Sequence, residues 1–287
     1  MKKIFLLFFF TPVVVFFSCQ KSIDPGNQPQ NINAKTVLNV SYGIDPLQNM
    51  DVYLPADRSV SSTKVLIMIH GGAWESGDKT DLSEYVDTMK IRLPGYAIFN
   101  INYRLSINGV NTFPAQENDT KAALQYIVDN AANYLISKKI VLLGVSAGGH
   151  LALLQGYKYN TPVVPKAIVS FFGPTDITAM YNDPADPLIP PELAIIVGKT
   201  PAQDPALYAS SSPVNFVSSS SPPTILLHGG QDPLVKPSQA VTLQAKLQAA
   251  GVSNEYVFYP DEGHGWFGPH LTDSFNKIQA FLAANVQ

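Results

Sequence analysis

The sequence predicts an α/β protein whose mostly parallel sheet has eight strands and carries helices on both faces. From residue 36 onward, short runs rich in β-branched and aromatic residues alternate with longer segments of helical character. The later short runs are unbroken apolar stretches, which is typical of strands covered on both faces. A length of 287 residues fits one large domain of this class once an N-terminal targeting segment is removed.

The composition argues against a nucleic-acid partner. The chain is 46% hydrophobic and only 14% charged, and its 19 Lys and Arg residues face 22 Asp and Glu residues, for a net charge of −3. Binding to a phosphate backbone needs a basic surface. We therefore expect no nucleic acid among the ligands of this protein.

The N-terminus has the pattern of an export signal. Met-Lys-Lys precedes an almost wholly apolar run of 14 residues from Ile4 to Phe17. This run is shorter than the roughly 20 residues that a bilayer-spanning helix needs, but it suits the apolar core of a signal peptide. We predict a signal peptide over residues 1–18.

Cys19 follows this run after Ser18 and is the only cysteine, so no intramolecular disulfide can form. Its position resembles a bacterial lipoprotein signal, in which such a cysteine becomes the lipidated first residue of the mature chain. The segment 19–35, rich in Asn, Gln and Pro, would then be a flexible tether. This interpretation predicts a membrane-anchored lipoprotein of the bacterial cell envelope; an ordinary signal peptide whose removed part contains the cysteine is the alternative.

The predicted elements follow in chain order from residue 36, where the catalytic domain (36–287) begins. The first two strands precede any helix, so we expect them to form an antiparallel edge of the sheet. Strands are predicted near 37–42, 50–54, 65–69, 97–102, 140–143, 167–170, 224–227 and 255–259, and helices near 83–92, 117–132, 147–158, 238–250 and 273–284.

One segment, 173–223, departs from this alternation. It holds ten of the 23 prolines and the run Ser218–Ser221, with one short helix predicted near 191–197. It is too long for a simple connection. We predict an insertion that covers one end of the sheet as a cap.

Four loops that follow predicted strands carry chemically unusual residues. Because ligands of parallel sheets bind beyond the carboxyl ends of the strands, these loops are expected to meet at one site. Their sequences are HGGAW (70–74), GVSAG (144–148), HGGQD (228–232) and PDEGHGW (260–266).

Together the loops supply the groups needed for acyl transfer. The Ser146 hydroxyl needs a base, for which His264 is the candidate, and that base needs an acid such as Asp232 to fix its tautomer. Glycines at 144 and 148 permit the tight strand-to-helix turn that exposes such a serine. The chain order Ser, Asp, His after three different strands is that of the α/β-hydrolase fold.

The motifs as a set resemble a known family. HGGAW, NYRL (102–105) with FPA (113–115), GVSAGGH, GPTD (173–176), LLHGGQDPLV and GHGW are similar to those of the carboxylesterases related to hormone-sensitive lipase. The nearest branch in pattern holds kynurenine formamidases and bacterial acetylxylan or feruloyl esterases. The resemblance extends from about Met50 to the C-terminus.

This resemblance implies specific roles. The oxyanion donors would be the main-chain N–H groups of Gly71, Gly72 and Ala147, and neither a metal nor an organic cofactor would be needed. Ala73 stands where relatives of hormone-sensitive lipase often have a third glycine, but only its backbone is required. Trp74 and Trp266 are candidates for lining the substrate pocket, although aromatic residues in such loops more often serve packing.

Other candidates compete for the same roles. Asp176, which follows the preceding strand, is the alternative to Asp232. Tyrosines near Tyr181 and Tyr208 are further pocket candidates. The four remaining histidines, at 70, 150, 228 and 270, are expected to serve packing or hydrogen bonding.

The sequence therefore predicts an exported serine carboxylesterase that acts on short or aromatic acyl esters of carbohydrates. The alternatives are an arylformamidase-like amide hydrolase, a serine exopeptidase and a non-enzymatic binding protein on a hydrolase scaffold. Exopeptidases usually carry a large extra domain and acidic anchors for a substrate amine, and we expect neither in this chain. Binding proteins on this scaffold commonly lose a member of the triad, and all three are present here.

Overall fold

The computed structural model describes residue 1 and residues 32–287. The predicted signal peptide, Cys19 and the tether up to residue 31 lie outside the described residues. The first strand begins at Lys35, one residue before the predicted start of the domain. The preceding residues are bound to the domain, since Ile32 O accepts a 2.8 Å hydrogen bond from Asp57 N and Asn33 O accepts one of 2.7 Å from Arg58 Nη1.

A single sheet of eight strands organises the domain, as predicted. Its spatial order is β1-β2-β4-β3-β5-β6-β7-β8. The pairs β1–β2 and β2–β4 are antiparallel, which confirms the predicted antiparallel edge, and the other pairs are parallel. The strands are β1 (Lys35–Ser41), β2 (Asn49–Leu54), β3 (Lys64–Ile69), β4 (Tyr96–Ile101), β5 (Ile140–Val145), β6 (Ala167–Phe171), β7 (Thr224–Gly229) and β8 (Asn254–Tyr259).

Helices cover both faces of this sheet, which is why the central strands are apolar throughout. Successive side chains of a strand point to opposite faces. In β3, Val65, Ile67 and Ile69 therefore pack into one core, and Leu66 and Met68 pack into the other. The helices are α1 (Ser83–Arg92), α2 (Ala115–Asp129), α3 (Ala131–Tyr134), α4 (Ala147–Lys158), α5 (Ile177–Asn182), α6 (Ile189–Val197), α7 (Pro205–Ser210), α8 (Ser238–Ala249) and α9 (Gly268–Asn285).

Two predicted helices differ from the structure. The helix predicted over 117–132 is divided into α2 and α3 at Asn130, and the chain leaves α3 through Leu135 in a left-handed conformation with φ of 54°. The helix α9 begins at Gly268, five residues before its predicted start, with Pro269 in its first turn. Among the described residues, no helix combines the length and the apolarity needed to cross a bilayer.

The segment 173–223 holds three short helices instead of the single one predicted. The two that the sequence analysis missed are each capped by an aspartate: Asp176 accepts a 2.9 Å hydrogen bond from Ala179 N at α5, and Asp204 accepts one of 2.9 Å from Leu207 N at α7. Such N-caps are recognisable in a sequence. The apolar face of α6 is turned toward the cavity at the carboxyl end of the sheet.

Candidate active site

Ser146 lies at the sharp turn between β5 and α4. Its backbone has φ of 53° and ψ of −118°, a strained conformation for a residue with a side chain, which costs about 1–3 kcal/mol. The turn is possible because its flanking glycines have no side chains: a Cβ on Gly144 would lie 2.0 Å from Gly148 O, and one on Gly148 would lie 2.1 Å from Ile69 O. The serine hydroxyl is thereby held at the edge of the sheet.

The structure brings the three predicted triad residues together. Ser146 Oγ lies 2.8 Å from Nε2 of His264, and Nδ1 of His264 lies 2.7 Å from Oδ2 of Asp232. The loops after β5, β7 and β8 supply these side chains. The Asp232 side chain is fully buried and that of His264 is 15% exposed, so only the serine end of this hydrogen-bonded chain opens to a substrate.

Asp232 is held as a carboxylate by several donors. Its Oδ1 accepts hydrogen bonds of 2.9 Å from the N–H groups of Leu234 and Val235, and its Oδ2 also lies 3.3 Å from Nε2 of His228. Burial alone would raise the pKa of Asp232, but the bonds from His228, His264 and the backbone outweigh it and hold that pKa well below its usual range. The rival Asp176 caps α5 with its side chain.

The predicted oxyanion donors lie beside the serine. Gly71, Gly72 and Ala147 line the same cavity as Ser146. A Cβ on Gly71 would be 3.2 Å from Ser146 Cβ, so the loop after β3 passes directly alongside the hydroxyl. Within the described part of the chain, the N–H groups of these three residues donate no hydrogen bond to the protein, which leaves them available to a ligand.

The other four histidines have the structural contacts expected of them. His150 is buried, accepts a 3.2 Å bond from Trp74 Nε1 and donates to Ser211 O at 2.7 Å, and burial lowers its pKa to about 4. His270 is exposed and pairs with Glu262 at 2.6 Å. Burial also lowers the pKa of His70, and His228 contacts Val235 O as well as Asp232.

A cavity of about 570 Å³ opens onto Ser146. Trp74 and Trp266 both border it, but each is almost wholly buried and contributes mainly to packing. Trp266 donates to Ser274 Oγ at 2.9 Å. Ala73, in the position of a third glycine, adopts a left-handed φ of 50°.

Neither Tyr181 nor Tyr208 borders this cavity, so these two candidates serve packing, which the sequence favoured for such aromatic residues. They pack edge to face within the cap segment, where the Tyr208 hydroxyl donates to Lys199 O. A residue that the sequence analysis missed is Phe172, whose ring lies 4.5 Å from that of His264 and also borders the cavity. No local pattern marked it, since the contact joins residues far apart in the chain.

The polar side chains of the cavity include three carboxylates. Glu75, Asp81 and Glu192 border it, and none of its bordering residues is Lys or Arg. Burial and the neighbouring carboxylate of Glu75 raise the pKa of Glu192. The cavity is therefore rich in hydrogen-bond acceptors for hydroxyl or ammonium groups and unfavourable to anions. No group of three or more His, Cys, Asp or Glu side chains in the described residues is arranged to hold a metal ion.

Known proteins share this sequence pattern and architecture. The sequence profile of the family described as BD-FAE matches residues 50–247. Esterase LipC of Mycobacterium tuberculosis is 27% identical over 240 residues, which cover 79% of this chain and 59% of LipC. Esterase LipQ of the same organism is 28% identical over 253 residues, which cover 83% of this chain and 59% of LipQ.

This chain thus spans only 59% of the length of each of these curated relatives. Among solved structures, a truncated form of a carbohydrate esterase from gut microbiota has a TM-score of 0.76 and 28% identity. The match covers 90% of this chain and 98% of that one. The predicted α/β-hydrolase fold is confirmed by this likeness.

Proposed function

Because the chain belongs to the BD-FAE family, as the resemblance of its motifs predicted, we propose that it is a serine hydrolase of carboxylic esters. The observation that carries the proposal is the continuous hydrogen-bonded chain from Ser146 through His264 to Asp232, at 2.8 and 2.7 Å. A buried carboxylate, an imidazole and a hydroxyl in this order form the apparatus of acyl transfer. The similarity to esterases supports the same reaction.

In the proposed reaction, His264 Nε2 takes the proton of the Ser146 hydroxyl while Oγ attacks the ester carbonyl. Asp232 keeps the proton of His264 on Nδ1 and stabilises the imidazolium that forms. His264 then gives the proton to the departing alcohol, and an acyl-enzyme remains. Water, deprotonated by the same imidazole, attacks this ester, and His264 returns the proton to Ser146 Oγ as the bond to the acyl group breaks and the acid is released.

The negative charge on the carbonyl oxygen would be stabilised by the N–H groups of Gly71, Gly72 and Ala147. Their lack of hydrogen-bond partners among the described residues supports this role, since a donor that is already free need not break a bond to stabilise the developing charge. Ala147 is also the first residue of α4, so the positive end of the helix dipole adds to the stabilisation.

For the substrate, we propose short or aromatic acyl esters of carbohydrates. The acyl group would lie against apolar side chains such as Phe172 and Leu193. A neutral, hydroxyl-rich alcohol suits the carboxylates of Glu75 and Glu192, because ionised carboxylates accept hydrogen bonds from hydroxyls. The similarity to a carbohydrate esterase from gut microbiota supports this choice.

We further propose that the protein is exported and anchored to a membrane by a lipid on Cys19. The support is the sequence alone: an apolar run of signal-peptide length is followed, after Ser18, by the only cysteine. Export favours extracellular glycans as substrates over a cytosolic metabolite.

The decisive experiment compares wild type with Ser146→Ala. We expect wild type to release acetate from acetylated xylan oligomers or ferulate from methyl ferulate, and the variant to lose turnover by about a million-fold. Circular dichroism and thermal unfolding check that the variant is folded. Equal turnover by a folded Ser146→Ala protein, or a wild type inactive on all esters including p-nitrophenyl acetate, contradicts the proposal.

An exopeptidase is the second candidate, because the carboxylates of Glu75 and Glu192 could bind a substrate amine as well as hydroxyls. No acidic anchor of this kind was predicted from the sequence. Dipeptidyl p-nitroanilides separate the two candidates. Hydrolysis of these amides with kcat/KM above that of the acetyl esters would favour the peptidase.

A further inference from the structure

The hydroxyl of Tyr103 lies beneath the loop that carries two of the proposed oxyanion donors. It is 3.2 Å from the carbonyl oxygen of His70 and 3.1 Å from that of Gly71. The same Gly71 oxygen lies 2.7 Å from Nδ1 of His70. Because carbonyl oxygens only accept, both the hydroxyl and Nδ1 must act as donors, and the single hydroxyl proton is shared between the two carbonyl oxygens in a three-centre hydrogen bond.

Tyr103 is built rigidly into this position. Its side chain is among the largest that are fully buried, and its ring stacks on that of His70 with centroids 4.3 Å apart and planes 8° from parallel. Burial raises the pKa of Tyr103 far above its usual range. The hydroxyl is therefore protonated, and a donor, across the whole range in which an esterase works.

The peptide geometry links these carbonyls to the oxyanion donors. In a trans peptide the C=O of one residue and the N–H of the next point in opposite directions in one plane. The described residues have cis peptides only before Pro114 and Pro162, so both peptides here are trans. Holding the carbonyls of His70 and Gly71 toward Tyr103 consequently turns the N–H groups of Gly71 and Gly72 away from it.

We propose that Tyr103 is a positioning residue, whose hydroxyl fixes the two peptide planes that present the N–H groups of Gly71 and Gly72 to the oxyanion. This role rests on the proposed function. Tyr103 does not touch the reacting atoms and acts through the main chain. Without the Tyr103 hydroxyl, the carbonyl oxygen of His70 loses one hydrogen-bond donor. The carbonyl oxygen of Gly71 then accepts a hydrogen bond only from the imidazole of His70, so the two peptide planes can rotate.

Tyr103→Phe tests the proposal cleanly, because it keeps the ring that stacks on His70 and removes only the hydroxyl. We expect kcat for p-nitrophenyl acetate to fall about ten-fold with little change in KM, less than the hundred-fold or more caused by complete loss of a donor. A trifluoromethyl ketone forms a tetrahedral oxyanion on the serine. Its inhibition constant should rise by the same factor as kcat/KM falls.

Tyr157→Phe is the matched control, since it also removes a tyrosine hydroxyl bonded inside the protein, 2.8 Å from Thr224 Oγ1, but away from the loop. It should lower the melting temperature while leaving kcat and the inhibition constant unchanged. The positioning role is overturned if the wild type is active and Tyr103→Phe leaves kcat and the inhibition constant unchanged. It is also overturned if the activity of Tyr103→Phe falls only in proportion to the fraction of unfolded protein. An inactive wild type would contradict the proposed function instead.

Discussion

Oδ2 of Asp232 lies 2.7 Å from Nδ1 of His264, whereas the side chain of Asp176 caps the first turn of α5. We therefore expect Asp232→Asn to lower kcat about ten-thousand-fold, because the amide no longer fixes the productive tautomer of the imidazole. Asp176→Asn should keep nearly full activity, since asparagine also caps helices well. Steady-state kinetics on p-nitrophenyl acetate compare the two, and the reverse order would mean that the acid is misassigned.

Gly148 is required by the close approach of β3 to the start of α4. An alanine Cβ there would meet the carbonyl oxygens of Ile69 at 2.1 Å and His70 at 2.5 Å, which are backbone atoms that cannot turn aside. We expect Gly148→Ala to lower the free energy of unfolding by about 1–3 kcal/mol and to disturb the oxyanion loop. Urea unfolding followed by fluorescence measures the loss.

The matched control for that substitution is Gly95→Ala. A Cβ on Gly95 would have no heavy atom within 4 Å, and its backbone is not in the left-handed region. The change should therefore be neutral or slightly stabilising, by up to about 1 kcal/mol. Equal destabilisation by the two variants would rule out the steric explanation.

The sequence could predict what is encoded locally. The turn around Ser146 and the apolar strands have short, recognisable patterns, and the loop positions of Asp232 and His264 follow from strand order in a parallel sheet. The positions of Tyr103 and Phe172 could not be predicted, because each acts through a contact with a residue distant in sequence. The roles of Trp74 and Trp266 were ambiguous for a related reason, since burial distinguishes packing from substrate contact only after folding.

Buried His150 should make stability depend on pH. Its pKa is lowered to about 4 in the fold, against an ordinary value of 6.5, so between these values the unfolded chain binds a proton that the folded chain does not. Stability therefore falls as the pH drops from about 6.5 to about 4, by about 3 kcal/mol in total. Burial also lowers the pKa of His70, which makes the fall in stability with decreasing pH steeper.

Urea unfolding at several pH values across this window, for wild type and His150→Gln, measures the contribution. The variant cannot titrate at this position, so its unfolding free energy should change less steeply with pH. Parallel slopes for the two proteins would show that His150 is not responsible.

The proposed lipid anchor depends on Cys19, which lies outside the described residues. Cys19→Ser removes the thiol that would carry the lipid, so the protein should leave the membrane fraction or accumulate as an unprocessed precursor. Ser18→Ala, which exchanges one small residue for another, should still be processed. Cell fractionation and incorporation of a labelled fatty acid measure membrane association and lipidation of both variants. The anchor would be refuted if the wild type carried no label and fractionated like Cys19→Ser.

The size of the cavity predicts the acyl preference. A volume of about 570 Å³ lies within the range of about 300–1,000 Å³ that is typical of small-molecule sites, and it must accommodate the alcohol as well as the acyl group. The helix α6 closes it on one side with Ile189, Leu193 and Ile196. For p-nitrophenyl esters with acyl chains of two to sixteen carbons, we expect kcat/KM to be greatest for the shortest acyl chains. It should decline once the acyl chain is too long to fit against the wall formed by these three side chains of α6.

Two substitutions on α6 test whether this wall sets the limit. Leu193→Ala removes a buried side chain that borders the cavity, so the optimum should move to longer acyl chains. Ile195→Ala shortens a side chain that is 54% exposed and does not border the cavity, so it should leave the profile unchanged. A cavity closed by α6 should not hold a long acyl chain. A wild-type maximum at about ten carbons or more, with no acetate or ferulate released from the carbohydrate and ferulate esters, would therefore contradict this closure and assign the site to lipids.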